Sequence, residues 1–192
     1  MEKNRSESMV SKLRPALVSF VVLTLICGVV YPVIVTSIAQ IAFPNQANGS
    51  IITVTQENGT TIDVGSALIG QTFTKPQYLI GRPRGTSQLS PVSEEQKALI
   101  QERVAWWRAL DPENSGAIPS DLVTASGSGV DPNISPEAAE YQVDRIARVR
   151  NISAKTVREI IARYTTGKLL GLWGESGVNV LKVNLALDGR IQ

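Results

Sequence analysis

The sequence contains no histidine and a single cysteine, Cys27. Histidine is the commonest general base near neutral pH and the commonest metal ligand, so its absence excludes Ser–His catalysis and argues against a metal site. Because Cys27 lies in an apolar run, the rest of the chain has neither disulfides nor thiol chemistry. No Ser-x-x-Lys motif occurs either. We therefore expect no catalytic residues and no metal site in this chain.

Charge is absent from a long stretch near the amino terminus. After Arg14 no charged residue appears until Glu57. A helix over residues 15–40 would be ~39 Å long at ~1.5 Å per residue. The hydrocarbon core of a bilayer is ~30 Å thick, so one tilted crossing fits. The pattern predicts a transmembrane helix at residues 15–41.

The charge asymmetry around this span predicts its orientation. The basic residues Lys3, Arg5, Lys12 and Arg14 precede it, against only two acidic residues, Glu2 and Glu7. Basic residues beside a spanning helix mark its cytoplasmic end. We therefore expect residues 1–14 to be a cytoplasmic tail and residues 42–192 an extracytoplasmic domain on the cell (plasma) membrane.

A cleaved signal peptide and a lipoprotein signal are the two alternatives to a retained anchor. Ser37-Ile38-Ala39 resembles a signal-peptidase site, but the apolar run is nearly twice the usual ~7–15 residues of a signal peptide. A lipoprotein signal ending at Cys27 would need a small residue before the cysteine, where Ile26 stands. Length favours the retained anchor.

Polar, small or helix-distorting residues recur every four positions within the span. They are Thr24, Gly28, Pro32, Thr36 and Gln40. Such a row lets a second helix approach closely and form hydrogen bonds in lipid, which predicts a partner interface. The alternative is that the Thr side chains bond the backbone of their own helix, and that Gly and Pro are simply common in membrane helices. Pro32 removes a backbone donor and should kink the helix near Gly28.

The remainder of the chain is long enough for one domain with a core. From Phe43 onward it carries 15 basic and 15 acidic residues, which gives no reason to expect nucleic acid as a partner. Helical and alternating apolar patterns cluster rather than alternate strictly, so we expect one mixed α+β domain.

The first predicted elements are a hairpin of residues 51–55 and 61–64 around an Asn58-Gly59 turn, and a strand or two within 65–85. A capping box at Ser93 begins a helix that runs to about Leu110 and ends at Asp111-Pro112. Ser135 caps a helix over 136–150, a further helix starts at Ser153, and a strand covers 178–187.

Ser126, Gly127, Ser128 and Gly129 form a weak candidate for an anion-binding loop, because consecutive amides in a flexible turn can form a nest. The loop matches neither a Walker motif nor a dinucleotide fingerprint, and a tight structural turn is the favoured interpretation. No cofactor-binding residue is predicted with more weight than these.

Other polar residues are given structural roles. Asp121, Asp131 and Asp144 do not have the spacing of a calcium loop, and caps or ion pairs explain them as well. Arg145, Arg148 and Arg150 are predicted to form one solvated helix face. The Trp106-Trp107 pair is interpreted as core rather than as a binding patch.

Six segments of the chain have a distinctive sequence. The first three are LRPAL before the span, GVVYP within it and QIAFPNQANGSI after it. The next three are GSALIGQTF, DLVTASGSGVDPNISPEAAEYQVDRIARVR and VNVLKVNLALD. Together, and in the same order, these segments resemble the C subunit of the Kdp potassium-transporting P-type ATPase. The resemblance covers nearly the whole chain from Ser11, so Met9 is an alternative start.

The resemblance implies an accessory subunit in a high-affinity potassium-uptake complex that uses ATP, magnesium and potassium. Its partners would be a channel-like potassium-binding subunit, a P-type ATP-hydrolysing subunit and a small single-helix subunit. The family is described as a catalytic chaperone that raises the ATP affinity of the pump subunit. Relatives carry a longer loop, likened to a nucleotide-sensing signature, where this chain has Arg84 and the short stretch 85–88.

The predicted topology places the domain opposite the ATP, so an effect on ATP affinity would have to cross the membrane. Stabilisation of the complex and a cover over the ion entrance are therefore favoured over nucleotide contact. The alternative function is a free-standing, membrane-anchored binding or sensor module that uses the turn at residues 126–129.

Overall fold

The computed structural model describes residues 9–56, 58–85, 88–168 and 170–191. The chain divides into two compact units, Met1–Ser50 and Ile51–Gln192. Most of the predicted cytoplasmic tail, and Thr86 and Ser87 of the short loop, lie outside the described residues.

The first unit is helical. Helix α1 covers Met9–Leu25, a π-helical turn covers Ile26–Val30, helix α2 covers Tyr31–Ala42 and a single-turn helix α3 covers Pro44–Ala47. The 31 residues of Lys12–Ala42 are long and apolar enough to cross a membrane, and the large apolar side chains along them are exposed. An all-round apolar surface of this kind suits lipid rather than water.

The second unit begins with a hairpin. Strands β1 (Ile51–Thr55) and β2 (Thr61–Ser66) pair antiparallel, with a bulge between Ile52 and Thr53. Asn58 Oδ1 accepts a hydrogen bond from the amide of Thr60, and Gly59 has the positive φ of 80° that the turn requires. The predicted hairpin is confirmed.

The other elements surround one main core. The helices are α4 (Glu94–Leu110), α5 (Pro136–Glu140), α6 (Val143–Arg150), α7 (Ala154–Arg163) and α8 (Val180–Leu187), with a 3-10 turn at Ser120–Leu122. Three short strands, β3 (Asn133–Ile134), β4 (Thr165–Thr166) and β5 (Gly177–Asn179), form an antiparallel sheet in the order β3-β5-β4. The sheets are small and antiparallel, and helices and strands do not alternate regularly along the chain, so the α+β class is confirmed.

Serine caps begin α4, α5 and α7; those at Ser93 and Ser135 are predicted as caps, and Ser153 is predicted as a helix start. The side chain of Ser93 accepts from the amide of Gln96, that of Ser135 from Ala138, and that of Ser153 from Thr156. Asp111 ends α4 as expected.

The strand predicted at residues 178–187 is wrong beyond Asn179, where helix α8 begins. Asn179 caps this helix by accepting a hydrogen bond from the Lys182 amide at 3.1 Å. The run has both alternating and helical spacing, and packing decides between them. Val180 and Val183 enter the main core, whereas Leu181 and Leu185 enter a second cluster with Val54. An apolar segment buried on two sides is the mark of a core helix.

The single helix predicted over residues 136–150 is also incorrect, since it is interrupted at Tyr141 and Gln142. The Gln142 side-chain amide donates to the Ala138 carbonyl at 3.1 Å and so occupies a backbone acceptor of the preceding turn. Local side-chain bonds of this kind compete with a continuous helix. The helical face itself is confirmed, because Ala139, Val143 and Ile146 are fully buried.

Candidate functional site

The apolar helix contains an irregular turn directly before Pro32. In the π-helical turn, the amide of Tyr31 donates to the carbonyl of Ile26, five residues back. Proline has no amide hydrogen, and its ring crowds the carbonyl of the residue four positions earlier, which here is Gly28. The disturbance predicted near Gly28 therefore takes the form of a widened turn.

This widened turn aligns the row from Thr24 to Gln40. In a regular α-helix, residues four apart are offset by ~40°, so the five members would spread over ~160°. A π turn absorbs about one extra residue, which takes back ~100° of rotation. Thr24 and Gln40 then differ by ~60° and Pro32 lies ~20° to the other side of Thr24, so the row occupies ~80° of one face. All five residues of the row are exposed.

The carboxyl-terminal end of this face has local hydrogen bonds that the sequence did not predict. Gln40 and Asn48 exchange two side-chain hydrogen bonds, at 3.1 and 3.3 Å. Asn48 also donates to the Pro44 carbonyl, and Ser37 donates to the Val33 carbonyl. Gln40 therefore ties the end of α2 to the turn after α3. A partner role for the row of five stays a prediction.

The serine–glycine turn at residues 126–129 satisfies part of its own hydrogen bonding. The Gly129 amide donates to the Ser126 hydroxyl at 2.9 Å, and the Val130 amide donates to the Ser128 hydroxyl at 3.3 Å. The two hydroxyls lie 3.3 Å apart. Gly127 is exposed and would have open space around an added Cβ.

Contacts beyond the turn fix its position. The Gly85 amide donates to the Gly129 carbonyl, and the Gly70 amide donates to the Val130 carbonyl at 2.7 Å. A Cβ on Gly70 would lie 2.5 Å from the Asp131 carbonyl oxygen, so this approach requires glycine. These contacts give the turn a structural role. Anion binding by Ser126, Gly127, Ser128 and Gly129 stays an untested prediction.

Each of the three aspartates has its own structural partner. Asp121 accepts from the Ser135 amide at 2.7 Å and pairs with Arg82 at 3.3 Å. Asp131 accepts from the Asn133 amide at 2.9 Å, and Asp144 lies 3.9 Å from Arg158. Among the described residues no group of three or more acidic or cysteine side chains is arranged to hold a metal ion.

The stretch predicted to contain a strand or two, residues 65–85, continues β2 to Ser66 and then has no strand in its described part, 67–85. Instead, side chains bond the backbone of residues 76–80, which we call the clamped segment. Each of its five successive carbonyls accepts from a side chain. The donors are Arg145 to Pro76 and Tyr78, Arg150 to Gln77, Asn184 to Leu79, and Gln142 to Ile80.

Two buried amide side chains hold the centre of the clamped segment. Asn184 accepts from the Leu79 amide and donates to the Leu79 carbonyl, both at 2.8 Å. Gln142 accepts from the Ile80 amide at 2.8 Å and donates to its carbonyl at 2.9 Å. The two amides thus satisfy backbone groups that neighbouring strands would satisfy in a sheet.

The prediction that Arg145, Arg148 and Arg150 form one solvated face is wrong for Arg145 and Arg150, and only Arg148 is exposed. Arg145 is 1% exposed, and it donates to the Tyr78 carbonyl and to Gln142 at 2.7 Å. Arg150 donates to backbone carbonyls and pairs with Asp188 at 2.7 Å. Arg148 pairs with the buried Asp111 at 2.5 Å. Carbonyl and carboxylate partners, invisible in helical periodicity, make this burial tolerable.

These contacts set the direction of three pKa shifts. Burial lowers the pKa of Arg145 to about 10, and nearby Asp111 opposes the shift. The hydrogen bond to Asp111 raises the pKa of Arg148. Burial is also the main cause that raises the pKa of Tyr141, whose hydroxyl has no hydrogen-bond partner among the described residues. All three groups are therefore protonated at neutral pH.

A cleft of about 240 Å³ adjoins the clamped segment. One wall continues from Gly81 to Arg84, and the other is the face of α4 that carries Arg103 and Trp106. Trp107 is 2% exposed and donates to the Leu122 carbonyl at 2.9 Å, whereas Trp106 is 40% exposed. The core interpretation of the tryptophan pair is therefore right for Trp107 and wrong for Trp106.

Within its described residues, the protein has one candidate membrane span and a separate α+β unit. The chain belongs to the KdpC family: the family model described as K+-transporting ATPase, c chain, matches residues 13–189. This chain is 62% identical over 178 residues to a potassium-transporting ATPase KdpC subunit from Listeria monocytogenes serotype 4a (strain HCC23). The match covers 91% of this chain and 94% of the Listeria protein.

More distant relatives match over similar lengths. The KdpC subunit from Sorangium cellulosum (strain So ce56) is 49% identical over 193 residues, which cover 94% of this chain and 99% of that protein. The one from Janthinobacterium sp. (strain Marseille) is 47% identical over 194 residues, covering 95% and 100%. The family predicted from the sequence is confirmed, and the chain is a KdpC-type subunit of a potassium-transporting ATPase.

Proposed function

We propose that this chain is the non-catalytic accessory subunit of a high-affinity, ATP-driven potassium-uptake complex. The observation that carries the proposal is the family match over residues 13–189, joined to a span that suits a membrane-anchored subunit. The sequence has no histidine and no Ser-x-x-Lys motif, which supports a role other than chemistry. ATP, magnesium and potassium would be handled by the other subunits.

The partners we propose are a channel-like potassium-binding subunit, a P-type ATP-hydrolysing subunit and a small single-helix subunit. The row of Thr24, Gly28, Pro32, Thr36 and Gln40 would pack against a helix of one of them. The π turn supports this role, because it gathers the row onto ~80° of the helix surface instead of ~160°.

We further propose that residues 42–192 lie outside the cytoplasm of the plasma membrane. The positive-inside asymmetry around Arg14 supports this orientation. The domain would then stabilise the complex and cover the ion entrance. A catalytic-chaperone effect on ATP affinity would reach the nucleotide site as a coupling free energy through the membrane, rather than by contact.

Purification of the tagged full-length chain in mild detergent tests the assembly. We expect the other subunits to co-purify in fixed proportion, whereas an isolated chain would contradict the proposal. Gly28→Leu should reduce recovery of the partner, since a bulky side chain would hold the helices apart. Val29→Leu, one position off the row, is the matched control. An added Cβ at Gly28 meets nothing within 4 Å, so the substitution does not strain the chain itself.

A further inference from the structure

The cleft beside the clamped segment combines a fixed backbone with an exposed aromatic side chain. The clamped segment fixes the wall that continues into Gly81 and Arg82. On the opposite wall, the rings of Trp106 and Trp107 meet edge to face, with centroids 5.2 Å apart. Since Trp107 is buried and bonded to the Leu122 carbonyl, Trp106 is supported from behind. Rigid, half-exposed tryptophans of this kind are typical anchors of binding sites.

The charges around the cleft select the sign and size of a ligand. Three arginines and one glutamate line it: Arg82, Arg84, Arg103 and Glu102. Arg82 is neutralised by Asp121, at 3.3 Å. Arg84 and Arg103 therefore face one opposing carboxylate, Glu102, and leave a single net positive charge. This balance suits one carboxylate and disfavours a polyphosphate.

Hydrogen-bonding capacity is available beside this charge. Arg103 donates from Nη1 to the Val123 carbonyl at 2.8 Å, and its other nitrogens make no hydrogen bond or ion pair with the described residues. Arg84 is exposed, and the described residues include no ion pair to it. A carboxylate placed between these two guanidinium groups would receive charge-assisted hydrogen bonds.

The size of the cleft favours a side chain over a free ligand. Sites for free small molecules usually measure ~300–1,000 Å³, and this cleft holds about 240 Å³. That space suits one large apolar side chain against Phe73 and Trp106, with an acidic residue beside it at the arginines.

We infer that the cleft docks a short acidic segment of another subunit, in which a carboxylate neighbours a large apolar side chain. The inference rests on the proposed function, because it needs a complex to supply the segment. It assigns to Trp106, Arg84 and Arg103 a partner contact that the helix in the membrane does not provide.

Photocrosslinking tests this inference in the assembled complex. Benzoylphenylalanine replaces Trp106 in the full-length chain, co-expressed with the other subunits in native membranes. We expect a crosslink to one subunit, within a few residues of an Asp or Glu. The double variant Arg84→Glu/Arg103→Glu should reduce its yield about tenfold. The control Arg163→Glu reverses the charge of an arginine that is exposed, as Arg84 is, and lies outside the cleft, so it should leave the yield unchanged.

The outcomes separate this inference from the proposed function. If the subunits co-purify but position 106 crosslinks only lipid or this chain itself, the inference is wrong and the proposed function stands. The inference is also overturned if ATP abolishes the crosslink in the wild-type complex but leaves the crosslink yield of the charge-reversed variant unchanged. A nucleotide would then occupy the cleft. Failure of co-purification contradicts the proposed function instead.

Discussion

Gln142 and Ile80, which are 62 positions apart in the chain, exchange two hydrogen bonds between a side-chain amide and a backbone. The carboxamide oxygen accepts from the Ile80 amide, and the carboxamide nitrogen donates to its carbonyl. Both residues are buried, and Gln142 is fully so. Through this pair the turn between α5 and α6 fixes the irregular segment that leads into the arginine-lined cleft.

Replacing Gln142 with Leu should therefore destabilise the domain strongly. The change leaves the buried amide and carbonyl of Ile80 without partners and removes an acceptor from Arg145. We expect a loss of about 3 kcal/mol in the free energy of unfolding, at 1–3 kcal/mol for each unsatisfied buried group with partial relaxation. Denaturant unfolding of the full-length chain in detergent measures it.

The control for this prediction is Gln101→Ala, on the exposed face of α4. Surface changes of this kind usually stay within about 0.5 kcal/mol. Equal midpoints for the Gln142 and Gln101 variants would show that the side-chain clamp contributes nothing to stability.

The ion pair of Asp111 with Arg148 should contribute more to the stability of the domain than an exposed ion pair on a helix surface. Asp111 is 2% exposed and has its partner at 2.5 Å. Arg148→Ala would leave a buried carboxylate unpaired, so we expect a loss of about 2 kcal/mol, kept below the value for a fully buried pair because Arg148 is partly exposed. The melting temperature reports the change. Arg158→Ala, which breaks the exposed pair with Glu140, should leave the melting temperature unchanged.

Tyr141 gives a prediction about pH. Its folded pKa is raised because burial disfavours the phenolate, so the unfolded chain ionises first as the pH rises above ~10. The unfolded state then binds fewer protons than the folded state, and stability falls with rising pH. Tyr141→Phe should weaken this decline above pH ~10.

The same variant should be about 1 kcal/mol more stable at neutral pH, because the buried hydroxyl has no partner among the described residues. Tyr164→Phe, which removes a second such hydroxyl, provides the comparison at neutral pH. A steeper decline for Tyr141→Phe at high pH would contradict the assignment. The stability of each variant is followed by urea unfolding across pH 7–11.

Local signals in the sequence were enough to predict much of this fold. The hairpin turn at Asn58-Gly59, the caps at Ser93 and Ser135 and the helix start at Ser153 depend on bonds within a few residues, and all are confirmed. The apolar span is equally local, because it depends only on length and composition.

Long-range contacts decided the points at which prediction failed. Helix α8 has strand-like alternation, and only its burial between two apolar clusters, seen at Val183 and Leu185, determines that it is helical. The buried role of Arg145 depends on carbonyls at positions 67 and 69 residues away. No periodicity within one element carries that information, so the clamped segment and the cleft had no sequence signature.

Potassium-stimulated ATP hydrolysis by the purified complex, prepared from cells with and without this chain, shows whether the complex requires this subunit. If the chain is a required accessory subunit, the preparation without it should lose potassium-stimulated hydrolysis. Co-expression of the full-length chain should restore it. Undiminished, potassium-stimulated hydrolysis and an intact assembly of the remaining subunits in its absence would contradict the account.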